Sequence, residues 1–164
     1  MSDPRIWGPS GWYVLHHMSL YKFANITEAH EFYSCFIYIL PCCACRDNYR
    51  DHMDNLPFPK TLAAVPRWVY DMHQRVNRSI GGERLANLAP KFSTVVKMMK
   101  TDSKKEAFFI KSILQTHPGL RVADTAYTRA LRTFLSIMTG KTPKVNFRSR
   151  RQVLQWFKIQ YEGH

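Results

Sequence analysis

The chain has 164 residues, 45% of them hydrophobic and 13% aromatic, so it can bury a core as one domain or as a domain with an appendage. Its charge is uneven, because residues 1–82 carry 8 Lys and Arg against 7 Asp and Glu, whereas residues 83–164 carry 16 against 5. No segment reaches the roughly 18 apolar residues of a membrane span and no secretory signal pattern begins the chain, so we expect a protein retained inside the cell.

Helical periodicity runs through most of the chain, and we predict an all-α fold. In the first half it indicates four helices, over about residues 9–22, 27–40, 42–54 and 66–80. Pro9 and Pro66 suit the first turn of a helix, and Thr27 can act as an N-cap. Gly81 and Gly82 are expected to end the fourth helix.

The basic second half contains no cysteine, and its periodicity predicts further helices at about residues 90–101, 104–117, 121–139 and 147–161. The third of these has a regular apolar face, made of Tyr127, Leu131, Phe134, Leu135 and Met138. We therefore expect one domain over residues 1–88 and a basic helical extension over residues 89–164. The extension should be folded against that domain or against a partner subunit.

Cys42 and Cys45 form a C-x-x-C pair at the predicted start of the third helix. One helical turn separates them, so they lie on one face. A helix N-terminus lowers the pKa of a thiol, and the thiolate is the attacking species in disulfide exchange. The pair alone fits a redox site, half of a zinc site or inert thiols.

Two pairs of residues in other predicted helices also share a face at a spacing of four, Trp12 with His16 and His73 with Asn77. Taken one at a time, each aromatic is more simply a core residue and each histidine a hydrogen-bonded buried group. A flavin site needs the same assortment, because a flat ring system requires aromatic walls and a few convergent polar groups in an apolar pocket.

Three sequence blocks carry a resemblance to a known family: WGPSGWYVLH at residues 7–16, PCCAC at residues 41–45 and WVYDMHQRVN at residues 68–77. In this order and at these spacings they resemble the Erv/ALR family of FAD-dependent sulfhydryl oxidases. The resemblance covers residues 5–82 and implies an FAD-binding four-helix bundle.

The resemblance implies that FAD is held by side chains of the first and fourth helices. They are Gly8, Pro9, Ser10, Trp12, His16, Tyr21, Tyr70, His73, Gln74, Val76, Asn77 and Arg78. Arg78 would face the diphosphate. Gln74 departs from the family pattern, which has asparagine there, but it keeps the amide on a longer arm. The family's downstream tryptophan has no aligned partner, and Phe92 is its candidate replacement.

The resemblance also implies a mechanism. A substrate dithiol would reduce the Cys42–Cys45 disulfide, which would pass electrons to FAD and then to O₂, giving H₂O₂. Cys42 would lie against the flavin and Cys45 would exchange with substrates. The implied partners are dithiol proteins or an upstream thioredoxin-like dithiol carrier, and the implied assembly is a homodimer.

Residues 46–164 contain no cysteine, so the distal shuttle pair of many cellular members has no counterpart here. This reduced arrangement resembles the enzymes of large DNA viruses, which form disulfides in virion proteins. It predicts action in the cytoplasm of an infected cell or in the virion. Cys43 and Cys35 lie outside the motif; we expect a spare thiol at Cys43 and a packed one at Cys35.

Alternatives remain open for both halves of the chain. The basic residues can be solvated helix faces, part of a subunit interface, or a surface for an acidic partner or for nucleic acid, the last being less favoured. The candidate contacts are Arg148, Arg150, Arg151 and Lys158, interleaved with Phe147, Trp156 and Phe157. The competing class for the whole chain is a non-enzymatic basic protein that binds zinc through Cys42, Cys43, Cys45 and His52.

Overall fold

The computed structural model describes residues 3–21, 23–118, 125–144 and 147–162. These residues contain eight α-helices and no strand, which confirms the predicted all-α class. The helices are α1 (Pro4–Tyr21), α2 (Ile26–Ile39), α3 (Cys43–Asn55), α4 (Val65–Leu88), α5 (Phe92–Met98), α6 (Ser103–Gln115), α7 (Thr125–Thr139) and α8 (Arg150–Phe157). A 3₁₀ turn (Leu62–Ala64) precedes α4, and a π-helical turn (Lys158–Glu162) follows α8.

The first helix starts five residues before the predicted position. Asp3 accepts the backbone N–H of Arg5 at 2.9 Å, and Pro4 occupies the first helical position, where a missing N–H costs nothing. Pro9 consequently lies inside α1. The expected start at Pro9 was wrong because Asp3 and Pro4 supply an equally good signal earlier in the chain.

The next two helices are capped by side chains that precede their first residue. The Asn25 side chain accepts the Glu28 N–H at 2.9 Å, so Asn25 and not Thr27 is the N-cap of α2. Cys42 is the N-cap of α3. The predicted position of the third helix was therefore right to within one residue.

The fourth helix is interrupted at the two glycines that were expected to end it, and a second helical segment follows the interruption. Gly82 adopts a positive φ of 65°, and the chain resumes helical geometry to Leu88. A residue without a Cβ reaches this region at little cost, so the glycine ends the first helical segment of α4, and a short second segment follows it.

The second half of the chain packs onto the first. Helix α7 lies on α2, and α6 lies on α1. Phe134 is fully buried, with its ring centroid 5.9 Å from that of Phe32 and 5.7 Å from that of Phe36. The expectation that the second half folds against the first is confirmed for the described residues, which share one hydrophobic core.

The contact between α1 and α6 depends on a glycine. A Cβ on Gly11 would lie 2.9 Å from Cε2 of Phe109, which is fully buried. Only a residue without a side chain lets α6 approach so closely, and this approach brings the start of α6 to the site described below. Among the described helices, none has both the length and the apolar character that crossing a bilayer would require.

Candidate active site

The C-x-x-C pair is joined by a disulfide at the N-terminus of α3. Cys42 and Cys45 have Cα atoms 5.1 Å apart, and both residues are half-buried. The Cys45 N–H donates to Cys42 Sγ at 3.2 Å, so the sulfur of Cys42 occupies the place of a helix-capping acceptor. A negative charge developing on this sulfur would be stabilised by that N–H and by the helix dipole.

The other two cysteines are free thiols, as predicted. Cys35 is buried in the core and its thiol donates to the Glu31 carbonyl at 3.1 Å. Burial raises the pKa of Cys35 to about 12, so it stays protonated and unreactive. Cys43 is exposed, and Arg46 donates to its sulfur at 2.9 Å.

A cavity of about 380 Å³ lies between α1, α4 and the connection from α5 to α6. This volume falls in the range of small-molecule and cofactor sites. Seven of the predicted site residues line it: Pro9, Trp12, His16, Tyr70, His73, Gln74 and Asn77. The cavity therefore joins the first and third sequence blocks, which are more than fifty residues apart.

Aromatic rings from α1 and α4 meet at the cavity wall. Trp12 and His73 stack with centroids 3.8 Å apart and planes inclined by 8°. His16 Nε2 and His73 Nδ1 are 3.0 Å apart, so one ring nitrogen donates and the other accepts. Burial lowers the pKa of His16 to about 4. Burial, with a smaller contribution from His16, lowers the pKa of His73 to about 3, so both rings are neutral at pH 7.

A row of hydrogen bonds follows the cavity side of α4. Asn77 Nδ2 donates to Gln74 Oε1 at 3.2 Å, and Gln74 Nε2 donates to the Tyr70 hydroxyl at 2.9 Å. The Tyr70 hydroxyl donates to the Pro90 carbonyl at 2.9 Å. Gln74, the departure from the expected asparagine, thus keeps its amide on the cavity wall and links the polar side chains.

The Erv1 / Alr family model matches residues 9–100, which is more than half of the chain. The chain belongs to the Erv1 / Alr family. The family predicted from the three sequence blocks is therefore confirmed, and the matched region extends beyond residue 82, through α5.

Comparison with individual proteins gives one relative and no structure. The chain is 29% identical over 115 residues to a probable FAD-linked sulfhydryl oxidase of Acanthamoeba polyphaga mimivirus. The aligned part covers 65% of this chain and 79% of the mimivirus protein. No solved structure matches the chain significantly.

The wall of the cavity fits the flavin that this family implies. Trp12, His73 and His16 supply rings in a largely apolar surface, and Gln74 and Asn77 supply amide groups that can both donate and accept. Two lysine side chains on the opposite wall, Lys100 and Lys105, supply positive charge for phosphate groups.

The structure leaves the remaining predicted flavin residues off this wall. Gly8, Ser10 and Val76 are absent from the lining, and so is Arg78. The Arg78 guanidinium donates to Glu83 at 2.8 Å, with both side chains largely exposed. The side chain of Tyr21 lies outside the described part of the structure.

Phe92 lies beside the predicted site without reaching the cavity wall. Its ring is 5.5 Å from that of Tyr70, edge to face, and the Arg67 guanidinium lies 5.5 Å above it. Phe92 therefore supports a wall residue from behind and is not a wall residue itself.

The opposite wall of the cavity was not predicted from the sequence. Ten residues that line the cavity were not among the predicted site residues: Tyr13, Ala89, Pro90, Val95, Met98, Met99, Lys100, Thr101, Asp102 and Lys105. Nine of them lie at or beyond the end of α4. Nothing in the local pattern indicates that this segment returns to α1, because its position depends on the packing of α6.

The helix that starts at the disulfide packs against the helix that carries half of the cavity. Helix α3 runs antiparallel to α4: Trp68 Nε1 donates to the Leu56 carbonyl at 3.1 Å, and the pKa of His52 is lowered by burial and by the charge of Arg75. The C-terminal end of α3 therefore lies at the start of α4.

The competing zinc interpretation has no support in this geometry. Two of its four proposed ligands, Cys42 and Cys45, are bonded to each other. In the part of the chain that the structure describes, no group of three or more Cys, His, Asp or Glu side chains is arranged to hold a metal ion.

Proposed function

We propose that this chain is an FAD-dependent sulfhydryl oxidase, which forms disulfides in dithiol substrates and delivers the electrons to O₂ with H₂O₂ as the product. The observation that carries the proposal is the disulfide between Cys42 and Cys45 in a member of the Erv1 / Alr family. It stands at the N-terminus of α3, which packs against the helix whose rings and amides line a cofactor-sized cavity.

The cysteines perform thiol–disulfide exchange. A substrate thiolate attacks Cys45 Sγ, which forms a mixed disulfide and releases Cys42 as a thiolate. A second substrate thiolate then attacks the substrate sulfur of the mixed disulfide, so the substrate leaves oxidised and the pair remains as a dithiol. The hydrogen bond from the Cys45 N–H to Cys42 Sγ supports this assignment, because it stabilises Cys42 as the leaving group.

The residues of the cavity bind and orient the cofactor. Trp12 and His73 offer flat surfaces, and the neutral His16 and His73 rings offer hydrogen-bonding nitrogens without adding charge. When FAD is bound, it supplies a two-electron acceptor that returns the dithiol to the disulfide and reduces O₂.

The physiological electron donor is a substrate dithiol or a thioredoxin-like dithiol carrier that reaches Cys45 directly. Cys35 is buried and Cys43 is a single thiol, so neither forms a second relay pair. The mimivirus relative supports a viral origin. Virion proteins as substrates, in the infected cytoplasm or in the virion, are proposed from the family resemblance. The homodimer implied by the family resemblance is tested by light scattering of the purified protein.

The function is tested with purified protein and dithiothreitol. We expect a yellow protein that consumes O₂ and releases H₂O₂ in step with thiol oxidation. A colourless protein that contains zinc would support the competing class, and a flavoprotein without thiol-dependent O₂ consumption would contradict the activity.

A further inference from the structure

The connection between α5 and α6 forms the cavity wall that faces α4. Its lining residues come from the end of α5, the connection itself and the first turn of α6: Met98, Met99, Lys100, Thr101, Asp102 and Lys105. Three of them, Thr101, Asp102 and Lys105, lie beyond residue 100, where the match to the family model ends. This wall is therefore partly built by the basic half that the family resemblance left without a role.

Tyr13 holds this wall in place from α1. Its hydroxyl donates to the Lys100 carbonyl at 2.9 Å and accepts the Asp102 N–H at 2.6 Å. Burial raises the pKa of Tyr13, so the hydroxyl keeps the proton that it donates. These two hydrogen bonds fix the backbone on both sides of Thr101 against a buried ring.

Lys105 is held over the same ring. Its Nζ lies 5.4 Å from the centroid of Tyr13 and 3.7 Å from Asp102 Oδ2. The Asp102 carboxylate is already engaged, since its Oδ1 accepts the N–H groups of Lys104 and Lys105 at the start of α6. The wall thus carries two cations, Lys100 and Lys105, against one anion, and it is net positive.

The cation that the family resemblance implied for the diphosphate does not line this cavity. Arg78 is paired with Glu83 and lies off the wall of the cavity. A flavin with two phosphates in this cavity needs a cation that can reach them, because an unpaired phosphate charge loses its hydration on binding. Lys105 is on the wall, and its Nζ lies over the Tyr13 ring and near the Asp102 carboxylate.

We propose that Lys105, positioned by Tyr13 and Asp102, is the side chain that pairs with the diphosphate of FAD in this protein. The inference rests on the proposed function, in which FAD occupies this cavity. The inference gives the basic second half a place in cofactor binding. Lys105 then takes the contact with the diphosphate that the family resemblance implied for Arg78.

The test is a titration of flavin-free protein with FAD and with riboflavin, which lacks phosphate, followed by flavin fluorescence. For Lys105→Ala we expect FAD binding weakened on the order of tenfold, the loss of one charge-assisted contact, and riboflavin binding unchanged. Lys105→Arg should retain most of the affinity, and the salt dependence of FAD binding should be smaller in Lys105→Ala than in the wild type.

Lys104→Ala is the matched control, because Lys104 is the adjacent exposed lysine of the same helical turn and does not line the cavity. It should bind FAD as the wild type does. Wild-type affinity in Lys105→Ala, or an equal loss in Lys104→Ala or for riboflavin, would overturn the assignment of Lys105. Failure of the wild-type protein to bind FAD at all would instead overturn the proposed function.

Discussion

At the scale of single residues, the two sulfurs at the start of α3 differ from the other two thiols in bonding and burial. Cys42 and Cys45 form the disulfide, Cys35 is buried with a raised pKa, and Cys43 is exposed. We expect Cys42→Ser and Cys45→Ser to abolish dithiothreitol oxidation while FAD stays bound, because the pair carries electrons and other side chains hold the cofactor. Turnover is measured as O₂ consumption, and flavin content from the visible spectrum.

The matched controls for these variants are Cys43→Ser and Cys35→Ser, which should retain turnover. An inactive Cys43→Ser protein with its flavin still bound would show that the electron path includes the exposed thiol.

The paired histidines make stability depend on pH. The pKa values of His16 and His73 are about 4 and about 3 in the folded protein, below the ordinary value of 6.5. Between about pH 4 and pH 6.5 the unfolded chain binds more protons than the folded protein does. The free energy of unfolding is therefore greatest above about pH 6.5 and falls as the pH is lowered towards 4. We expect the melting temperature to decrease over this range, and His16→Gln should reduce the slope. An unchanged slope in that variant would exclude His16 as a source of the effect.

At the scale of helices, the sequence predicted which helices are present better than it predicted the residues at which they begin and end. All eight described helices were expected, but α1 begins at Pro4 because Asp3 supplies a capping carboxylate. Helix α4 is interrupted at Gly82, as expected, but helical turns resume beyond it as far as Leu88. Local signals mark where a helix can start or stop, and tertiary contacts decide which of those positions is used.

Two glycines of α1 offer a paired test of helix packing. A Cβ on Gly8 would meet nothing within 4 Å, whereas a Cβ on Gly11 would lie 2.9 Å from Phe109. Gly8→Ala should stabilise the protein by about 0.5–1 kcal/mol through helix propensity. Gly11→Ala should destabilise it, because overpacking costs about 1–3 kcal/mol. Urea unfolding of both flavin-free variants measures the difference, and equal stabilities would contradict the close approach of α6 to α1.

At the scale of the whole molecule, the apolar face of the second half was predictable, but its partner was not. The regular spacing around Phe134 indicated a buried helix, and the structure places that helix on α2. One wall of the cavity followed from sequence motifs at Trp12 and His73. The opposite wall at Lys100 and Lys105 did not, since it depends on how α6 crosses α1.

The shared core predicts that the second half stabilises the first. Phe134→Ala should lower the free energy of unfolding by about 3–5 kcal/mol, because a fully buried ring is removed from contact with Phe32 and Phe36. Phe108, 43% exposed on α6, provides the control, and Phe108→Ala should change stability by less than about 1 kcal/mol. Denaturant unfolding followed by tryptophan fluorescence decides between these outcomes; similar small losses in both variants would mean that the halves are not packed as described.

The central claim is that electrons pass from a substrate dithiol through Cys42 and Cys45 to FAD. The most direct measurement is the flavin absorbance at about 450 nm under anaerobic conditions after addition of dithiothreitol. This electron path predicts rapid bleaching of the flavin band in the wild-type protein. The band should recover on admission of air, with release of H₂O₂. Rapid bleaching should be lost in Cys42→Ser and Cys45→Ser. Bleaching at the wild-type rate in either cysteine variant, or a protein without the flavin band, would contradict it.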